Sequence, residues 1–467
     1  MSTLTVVNVN GNTGGMRRVL AALLLAAAGL ISTAAPASAA TYAGYVMGYF
    51  TESPSGLAQN YGLHLAVSGD GLNWSPLNQN APVVTPTAGT KGLRDPYILR
   101  KQDGTFAVLA TDLAGTDFTQ PNQYLHVWDS ADLTSFTNYR RIKVHSLNTH
   151  SWAPNAFWDA TRGQYAIVYS AHNGTRDVFL VNYTTDFVTV SAPQTFFDPG
   201  FGVLDSDVLV DGGTTYLYYK NLSDGRLYGA KSSTGQPNSF STYTSGLLQA
   251  NGIEAPLLVK PNTGSTWQLW GDSYSPVNGE LFTWSSANVG GNSWAVTSQR
   301  AYTQPLNAKH ITIAPITAAE QSKLVTRWGA PAWTRLKSYN FPSRYVRHAN
   351  YVGRIDDYPF DPYTDQQWKL VAGLADSAGV SFQSVSDPTR YLRHWDYAIR
   401  LDVNDGTAAF RGDATFYRTA GLADSSWSSF RSYNFPDRYL RHANYLLRID
   451  PIATATEQQD ATFRVGP

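Results

Sequence analysis

The segment Asp95-Pro96-Tyr97-Ile98-Leu99-Arg100 reads as a short β-strand, and the Asp103-Gly104 turn then leads into a second strand at Phe106. The same order of polar residue, apolar run, turn and aromatic residue occurs three more times, in segments that begin at Asn155, Asp205 and Glu254. A second type of strand ends each unit and recurs in five segments, which begin at Ala66, Val127, Val181, Gly229 and Thr283. Units of roughly 50 residues with several short strands are typical of the blades of a β-propeller.

Five such endings predict an all-β domain of five propeller blades between residues 41 and 330. The first unit lacks a strong inner strand, and we expect His310-Ile311-Thr312-Ile313 to join that blade and close the ring. The same strands would allow a β-sandwich or two smaller β domains, but the regular spacing favours the propeller.

Composition narrows the classes of function. The chain has 467 residues, enough for two domains, and 13% of them are aromatic. Rigid aromatic rings suit stacking on the flat faces of sugars, although many of them serve the packing of a β-rich core. The 35 basic and 35 acidic residues balance, so we expect no nucleic-acid partner and no anionic membrane surface. The chain has no cysteine, which excludes disulfides and thiolate metal sites.

Residues 1–40 resemble a secretory signal peptide. Arg17 and Arg18 precede an apolar run at residues 19–31, and a stretch of small residues ends at Ala37-Ser38-Ala39-Ala40. The apolar run is too short to span a bilayer. We therefore expect cleavage of this segment, secretion to the extracellular space and no membrane attachment afterwards. The arginine pair matches a twin-arginine signal only in part, so the export route stays open.

Three carboxylates occupy corresponding places in the repeat. Asp95, Asp205 and Glu254 lie at the starts of strands that are predicted to be innermost in three different blades. Because inner strands converge on the central channel, we expect these side chains to meet in one funnel. Like charges in a shared cavity raise one another's pKa, which a fold tolerates mainly where chemistry needs it. Glycoside hydrolysis needs one carboxylic acid to protonate the leaving oxygen and one carboxylate to activate water or attack carbon.

Each acid also has a structural interpretation, because Asp is common in turns and at strand ends. Asp207 and Asp211 stand close to Asp205 and are the alternatives to it. Asp207 shares its strand face, and Asp211 fits the turn. The common position in three units favours the functional interpretation.

The chain resembles glycoside hydrolase family 43 in the order of four motifs, Arg94-Asp95-Pro96, Trp152-Ala153-Pro154, Leu204-Asp205-Ser206 and Ile253-Glu254-Ala255-Pro256. The resemblance covers residues 44–330. It implies a five-bladed propeller with inverting activity, mainly on α-L-arabinofuranosides and β-D-xylosides. It also implies that Asp95 is the general base, Asp205 the pKa modulator and orienter, and Glu254 the general acid. The chain departs from the family in the long segment before Asp95 and in Ala255, where glycine is commoner.

Three further residues are candidates near this site. Trp152 and Asn155 lie at the inner edge of another blade, where Trp152 is expected to stack on the sugar or pack in the core, and Asn155 to bond a hydroxyl. His310 resembles the channel histidine of the family, which in many members faces Ca²⁺ or another ion through water. We expect no cofactor in the chemistry itself; such an ion would give structural or electrostatic support.

Residues 337–467 contain a threefold repeat of short strands, which predicts a β-trefoil. The units share the runs Tyr345-Val346-Arg347-His348, Tyr391-Leu392-Arg393-His394 and Tyr439-Leu440-Arg441-His442. In each unit an Asp follows before an aromatic strand, and each unit therefore has the donors and acceptors of a sugar pocket. The alternative is that these polar residues only join neighbouring strands.

These runs resemble the arabinofuranose-binding carbohydrate module of family 42 over residues 337–467. The resemblance implies pockets built from His348, Asp365, His394, Asp413, His442 and Asp460. Three tyrosines recur beside them as further candidate contacts, Tyr351, Tyr397 and Tyr445. The second unit has Trp395-Asp396 where the others have Ala-Asn, so we expect its pocket to differ or to be weaker.

Together these patterns predict a secreted, monomeric, exo-acting α-L-arabinofuranosidase. Its expected partner is a polysaccharide or oligosaccharide with furanose side chains, such as arabinan or arabinoxylan. A β-D-galactofuranosidase or a β-xylosidase stays open, because small changes in a pocket redirect sugar choice. A non-catalytic lectin is the alternative from a different class, and it would bind sugar without turnover.

Overall fold

Strands between residues 44 and 316 form five sheets of four antiparallel strands, the blades of a propeller. The computed structural model describes residues 1, 41–52, 60–247, 252–275 and 278–467. Apart from Met1, the predicted signal peptide lies outside the described residues. Within the described ranges, no helix has both the length and the apolar character needed to cross a membrane. Residues 42–467 form one compact unit.

The first blade combines strands from both ends of the propeller domain. It consists of β1 (Gly44–Thr51), β2 (His64–Ser68), β3 (Ser75–Pro76) and β20 (Ala308–Ile316), in the order β20-β1-β2-β3. Met47 of β1 pairs with Ile313 of β20. The prediction that the segment around His310 closes the first blade is therefore confirmed.

The other four blades each use four consecutive strands. They are β4 (Leu93–Arg100), β5 (Phe106–Asp112), β6 (Tyr124–Ser130) and β7 (Thr137–Lys143); β8 (Trp152–Asp159), β9 (Gln164–His172), β10 (Asp177–Thr184) and β11 (Gln194–Phe197); β12 (Val203–Asp211), β13 (Thr214–Asn221), β14 (Arg226–Ser232) and β15 (Ser241–Thr244); and β16 (Ile253–Val259), β17 (Trp267–Ser273), β18 (Leu281–Ser286) and β19 (Ala295–Val296). Strands β20, β4, β8, β12 and β16 contact one another in turn around the axis. They are therefore the inner strands of the ring.

Every inner strand begins with a β-bulge at which one residue adopts a left-handed backbone conformation. The five residues are Asp95 (φ 51°), Ala153 (φ 51°), Asp205 (φ 58°), Ala255 (φ 52°) and His310 (φ 43°). The ladder register shifts beside each of them. Positive φ is uncommon for residues other than glycine, and bulges re-aim side chains next to functional sites. The fivefold bulge therefore marks this end of the channel as the place to look for chemistry.

The bulge corrects the prediction that the three acids are equivalent. Asp95 and Asp205 stand at the bulge itself, whereas Ala255 takes that position in β16 and Glu254 precedes it. The turn between β16 and β17 is longer than the turn between β12 and β13. The shared order of polar residue, apolar run and turn therefore placed Glu254 at the position of Asp95 and Asp205, although it lies one residue before that position at the same end of the strand.

A helix follows the propeller. Helix α1 (Ala318–Trp328) begins with a capping box of Thr317 and Glu320, and its Leu324 is buried against the first blades. Glu320 also bonds Arg100 of β4 at 2.8 Å, which fixes the helix to the second blade. Two 3₁₀ turns within the propeller domain lie at Asn78–Asn80 and Gln299–Ala301.

The C-terminal domain is a closed β-barrel of short strands. They are β21 (Arg335–Ser338), β22 (Tyr345–Ala349), β23 (Val352–Asp356), β24 (Trp368–Ala372), β25 (Val380–Ser384), β26 (Arg390–Trp395), β27 (Ala398–Val403), β28 (Phe416–Ala420), β29 (Ser428–Ser432), β30 (Tyr439–Ala443), β31 (Leu446–Asp450) and β32 (Phe463–Gly466), with a 3₁₀ turn (Tyr363–Gln366) and helices α2 (Ala408–Asp413) and α3 (Ala455–Asp460). Each repeat contributes one hairpin, and β23, β27 and β31 of the three hairpins pair with one another. The threefold sequence repeat is thus a threefold arrangement of hairpins.

Buried polar groups join the propeller to the barrel. The side chain of Arg335 is almost fully buried, where its guanidinium donates to the carbonyl oxygen of Gln304, to a main-chain oxygen of Pro467 and to the Tyr358 hydroxyl. Asn307 of the propeller exchanges two hydrogen bonds with the backbone of Phe360.

Arg335→Met is expected to lower the free energy of unfolding by about 3 kcal/mol, because it leaves buried carbonyls without their charged donor. Urea unfolding of the full chain measures this change. Arg464→Met is the matched control, since Arg464 also bonds across to the propeller, at Arg300 and Asn73, but at a more exposed position; it is expected to cost less than about 1 kcal/mol. Equal losses in the two variants would contradict the role of Arg335.

Candidate active site

A cavity of about 200 Å³ lies at the end of the channel where the inner strands begin. It is lined by Arg94, Asp95, Leu113, Phe118, Trp152, Leu204, Asp205, Glu254 and His310. The structure therefore brings together the three predicted acids, Trp152 and His310. A cavity of about 430 Å³ lies elsewhere, beside Tyr45 and Asp70, and Asp70 is there the only acid in its lining. Size alone does not identify the site.

Asp95 is held as a charged carboxylate. Its Oδ1 lies 3.1 Å from Nδ1 of His310, and its Oδ2 accepts a hydrogen bond of 2.8 Å from the Thr111 hydroxyl. Burial would raise the pKa of Asp95, but His310, with Arg94 and Thr111, lowers it to about 2. Burial likewise would lower the pKa of His310, and Asp95 raises it to about 9. At neutral pH the pair is an ion pair, and Asp95 is available to accept a proton.

Asp205 stands between the other two acids in the order of the chain and interacts with both. Its Oδ2 accepts a hydrogen bond of 3.1 Å from the backbone N–H of Ala255, the residue after Glu254. Burial raises the pKa of Asp205; His310 and Lys220 oppose the rise, and Glu254 adds to it. Asp205 is therefore attached to the strand that carries Glu254 and coupled to its charge.

Glu254 lies between two lysines that the sequence interpretation missed. Lys220 Nζ is 3.1 Å from Oε2, and Lys309 Nζ is 3.7 Å from Oε1. Lys309 also lies 3.6 Å from Oδ2 of Asp272, the cross-strand partner of Glu254. The sequence offered only a weak signal: Lys220 is the one charged residue of Thr214–Asn221, and Lys309 is the one lysine or arginine of Ala308–Ile316.

Aromatic side chains form one wall of the cavity. Trp152 stacks on His150 with ring centroids 3.9 Å apart and meets Phe118 edge to face at 5.7 Å. Phe118 is about half exposed, and the guanidinium of Arg94 lies 5.1 Å from its ring centroid. Arg94 is in turn paired with Glu52 at 2.5 Å. Phe118 and Glu52 were not predicted, because they lie outside the acid motifs. Arg94 was quoted as part of the motif Arg94-Asp95-Pro96 but was given no role.

Asn155 lies behind the cavity wall. It is 1% exposed, and its Nδ2 donates to Oδ1 of Asp207 at 2.9 Å. Asp207 also accepts from the backbone of Leu258 at 2.7 Å, so it joins two blades. Asp211 pairs with Lys260 away from the cavity. Asn155 is not among the residues that line the cavity, and its amide joins two blades. The bond from Asn155 to a sugar hydroxyl stays a prediction.

The donors around His310 do not form a direct metal site. Its Nδ1 faces Asp95, and within the residues that the structure describes no group of three or more His, Asp or Glu side chains is arranged to hold a metal ion. The ion that was predicted to face His310 through water stays a prediction.

Each repeat of the barrel places His, Arg and Asp together. The Asp forms an ion pair with the Arg of its own repeat at 3.0–3.1 Å, in the pairs Arg347–Asp365, Arg393–Asp413 and Arg441–Asp460. The His lies 3.2–3.6 Å from the other oxygen, in the pairs His348–Asp365, His394–Asp413 and His442–Asp460. Burial lowers the pKa of all three histidines, that of His442 to about 4. The imidazoles are therefore neutral near pH 7 and can both donate and accept.

The pockets of the second and third repeats are completed by the repeat that follows in space. Asn434 bonds both His394 and Asp413 at 2.8 Å, and Phe435 meets His394 and Tyr397 edge to face. Asn340 and Phe341 make the corresponding contacts to His442, Asp460 and Tyr445.

The first pocket differs from these two. Ser386 and Asp387 occupy the positions of the Asn and Phe, and only Ser386 reaches His348, at 3.3 Å. The second pocket is a cavity of about 250 Å³ lined by His394, Trp395, Asp396, Tyr397, Asp413 and Phe435. The first pocket thus differs from the other two at Ser386 and Asp387, and the predicted difference of the second pocket lies at Trp395 and Asp396, which line its cavity. Tyr351, Tyr397 and Tyr445 lie under the guanidinium groups of Arg390, Arg438 and Arg344.

The propeller with acids from three blades at one cavity has the arrangement that glycoside hydrolysis requires. Residues 40–322 match the family described as "Probable glycosyl hydrolase domain", and the chain belongs to this family. Residues 334–465 match a second family, described as "Alpha-L-arabinofuranosidase B (ABFB) domain".

Two curated relatives are similar to parts of the chain. An alpha-L-arabinofuranosidase of Bifidobacterium longum subsp. longum is 30% identical over 240 residues, which are 45% of this chain and 22% of the relative. An extracellular exo-alpha-(1->5)-L-arabinofuranosidase of Streptomyces avermitilis is 50% identical over 130 residues, 28% of this chain and 27% of the relative. The chain therefore spans about a quarter of the length of these relatives. Among solved structures it is similar to an exo-beta-1,3-galactanase of Clostridium thermocellum, with 13% identity, a TM-score of 0.43 and coverage of 91% of this chain and 93% of that chain.

Proposed function

We propose that this protein is a secreted, exo-acting α-L-arabinofuranosidase that hydrolyses its substrate with inversion. The observation that carries the proposal is the cavity in which Asp95, Asp205 and Glu254 meet from three blades, with Asp95 held in its charged form. The relatives named as arabinofuranosidases support the choice of sugar. A cavity of about 200 Å³ is smaller than the roughly 300–1,000 Å³ of pockets for larger ligands, which supports release of single terminal sugars.

In the proposed reaction Asp95 takes a proton from water as the water oxygen attacks the anomeric carbon. Glu254 gives a proton to the glycosidic oxygen as the carbon–oxygen bond breaks, and attack from the opposite face inverts the anomeric configuration. Asp205 is the proposed modulator, because its charge interacts with Glu254 and Asp95. An inverting reaction predicts that the carboxyl groups of Asp95 and Glu254 stand roughly 6.5–9.5 Å apart.

We further propose that the barrel is a β-trefoil that binds arabinofuranosyl side chains, as a family 42 carbohydrate-binding module does. The attached binder would raise the substrate concentration near the catalytic cavity. We also propose that the protein is extracellular and monomeric, and that an ion faces His310 through water. The proposed hydrolysis needs no cofactor.

Aryl glycosides and polysaccharides test the proposed function. The full chain is expected to release arabinose from 4-nitrophenyl α-L-arabinofuranoside, and to release monosaccharide from arabinan or arabinoxylan. NMR of the first product is expected to detect the β-anomer. Preferred cleavage of a β-xyloside or a β-D-galactofuranoside would show that the enzyme is specific for that sugar and not for arabinofuranose. Sugar binding without any turnover would identify a lectin.

The composition of the barrel pockets predicts which of them bind sugar. Phe341→Ala and Phe435→Ala are each expected to weaken binding of soluble arabinan by about 3–10-fold, because each removes an aromatic wall. Asp387→Ala is the matched control at the corresponding position of the first pocket and is expected to change nothing. Calorimetry measures arabinan binding by these three variants, each made in the full chain that also carries Glu254→Gln to prevent turnover. A loss in Asp387→Ala as large as in the two Phe variants would contradict the assignment.

A further inference from the structure

The carboxyl group of Glu254 is held differently at its two oxygens. Oε2 accepts a hydrogen bond from Lys220 Nζ at 3.1 Å, whereas Oε1 lies 3.7 Å from Lys309 Nζ, beyond hydrogen-bond distance. The Glu254 side chain is 23% exposed, and the two lysines are only 8% and 4% exposed. The two oxygens of the acid are therefore chemically distinct.

Lys220 is fixed in its place. Its ammonium lies 3.8 Å from the ring centroid of Tyr274, which is about one-third exposed at the rim of the channel. Glu254 and Asp205 raise the pKa of Lys220 although burial opposes the rise, so the ammonium stays charged. A buried cation held between a ring and a carboxylate has little freedom to leave either partner.

Lys309 has other partners. It donates to Oδ1 of Asn278 at 2.6 Å and lies 3.6 Å from Asp272, whose Oδ2 has no hydrogen-bond partner among the described residues. The charge of Lys309 is therefore shared with Asp272, and Lys220 is the closer cation at Glu254. Among the described residues, the ionisable groups that interact with Glu254 include Lys220 from β13, Lys309 from β20, Asp272 from β17 and Asp205 from β12.

We propose that Lys220 is a positioning residue that fixes Oε2 of Glu254 as an acceptor and leaves Oε1 as the oxygen that carries the catalytic proton. An oxygen that already accepts from an ammonium is the poorer site for a proton. The proton then faces the leaving group from one defined atom. This inference rests on the proposed function, because it assigns a role within that reaction.

Two substrates separate positioning from folding. An α-L-arabinofuranosyl disaccharide needs protonation of its leaving alcohol, whereas a dinitrophenyl α-L-arabinofuranoside releases a stable phenolate without it. Lys220→Met is expected to lower kcat for the disaccharide by about 10-fold or more and for the aryl substrate by less than about 3-fold. Lys220→Arg keeps a donating cation and is expected to hold the ratio of the two activities within about 3-fold of the wild-type ratio.

Lys231→Met is the matched control. Lys231 lies in the same blade, 4.9 Å from the ring of Tyr243, and donates to the carbonyl of Gly290 at 2.9 Å without contact to Glu254. In Lys231→Met the ratio of the activities on the disaccharide and the dinitrophenyl substrate is expected to stay at the wild-type value. If Lys220→Met does not fold, by circular dichroism, Lys220→Gln takes its place with the same expectation.

Equal losses on the two substrates in the Lys220 variant, or no loss on either, would overturn the positioning role and leave the proposed function intact. If the wild-type chain cleaves neither arabinofuranoside, the proposed function fails and the positioning role fails with it.

Discussion

Glu254→Gln is expected to lower kcat for an α-L-arabinofuranosyl disaccharide by about 10²–10⁴-fold, which is the usual contribution of a general acid. Gln has nearly the same shape as Glu and can still accept from Lys220, but it has no proton to give to the leaving oxygen. The loss is expected to be much smaller for a dinitrophenyl α-L-arabinofuranoside, because its phenolate leaves without protonation. Steady-state kinetics with the two substrates measure the difference.

A control on the same blade tests whether the effect belongs to the cavity. Glu280→Gln makes the same chemical change at a buried glutamate that bonds Gln299 instead of facing the cavity. It is expected to keep kcat within about 3-fold of wild type, since it removes no group of the proposed proton transfer. If Glu254→Gln lost activity equally on both substrates, Glu254 would not be the acid.

The propeller could be predicted because its blades repeat. The period of the strand endings gave the number of blades, and the excess strand around His310 gave the closure of the ring, which the pairing of β1 with β20 confirms. The bulge register could not be predicted in the same way. Asp95, Asp205 and Ala255 adopt positive φ in the folded ring, and local preference alone does not assign that conformation to Ala or Asp. The displacement of Glu254 by one residue followed from this.

The acids of the site could be recognised, whereas the groups that act on them could not. Asp95 and Asp205 share a position within their blades and Glu254 stands one residue before it, and repeats make such positions visible. Lys220 comes from a second strand of a blade and Lys309 from the closing strand, so no spacing along the chain connects them to Glu254. Only the ring brings their ammonium groups to one carboxylate.

The residues that complete the barrel pockets could not be predicted for a similar reason. The sequence assigned each pocket to one repeat, because His, Asp and Tyr recur within each unit. The Asn and Phe that complete a pocket belong to the next unit in space, as Asn434 does for His394. A difference in the second unit, at Ser386 and Asp387, therefore changes the first pocket. Comparing repeats one by one cannot reveal this, because the pairing of units is a property of the closed barrel.

Asp95→Asn is expected to lower kcat by about 10³–10⁴-fold on both the disaccharide and the dinitrophenyl substrate. The amide cannot take a proton from water, and water must attack whichever leaving group departs. This equal loss distinguishes the base from the acid. Asp207→Asn is the matched control, because Asp207 is a buried aspartate of the inner strand β12 with bonds to Asn155 and Leu258. It is expected to lower stability but to keep kcat on both substrates within about 3-fold of wild type, since it removes no group of the proposed proton transfer.

Asp95→Asn is also expected to change how the stability of the protein depends on pH. Asp95 has a pKa lowered from 3.8 to about 2, so its contribution is complete above pH 3.8 and is lost as pH falls through about 2. His310 has a pKa raised from 6.5 to about 9, so its contribution is complete below pH 6.5 and is lost as pH rises through about 9. The difference in Tm between wild type and Asp95→Asn is therefore expected to be largest between pH 3.8 and pH 6.5 and to become smaller as pH passes 9. A difference that stays constant from pH 5 to 10 would mean that His310 is not the charged partner of Asp95, and that the carboxylate depends on other groups for its ionised form.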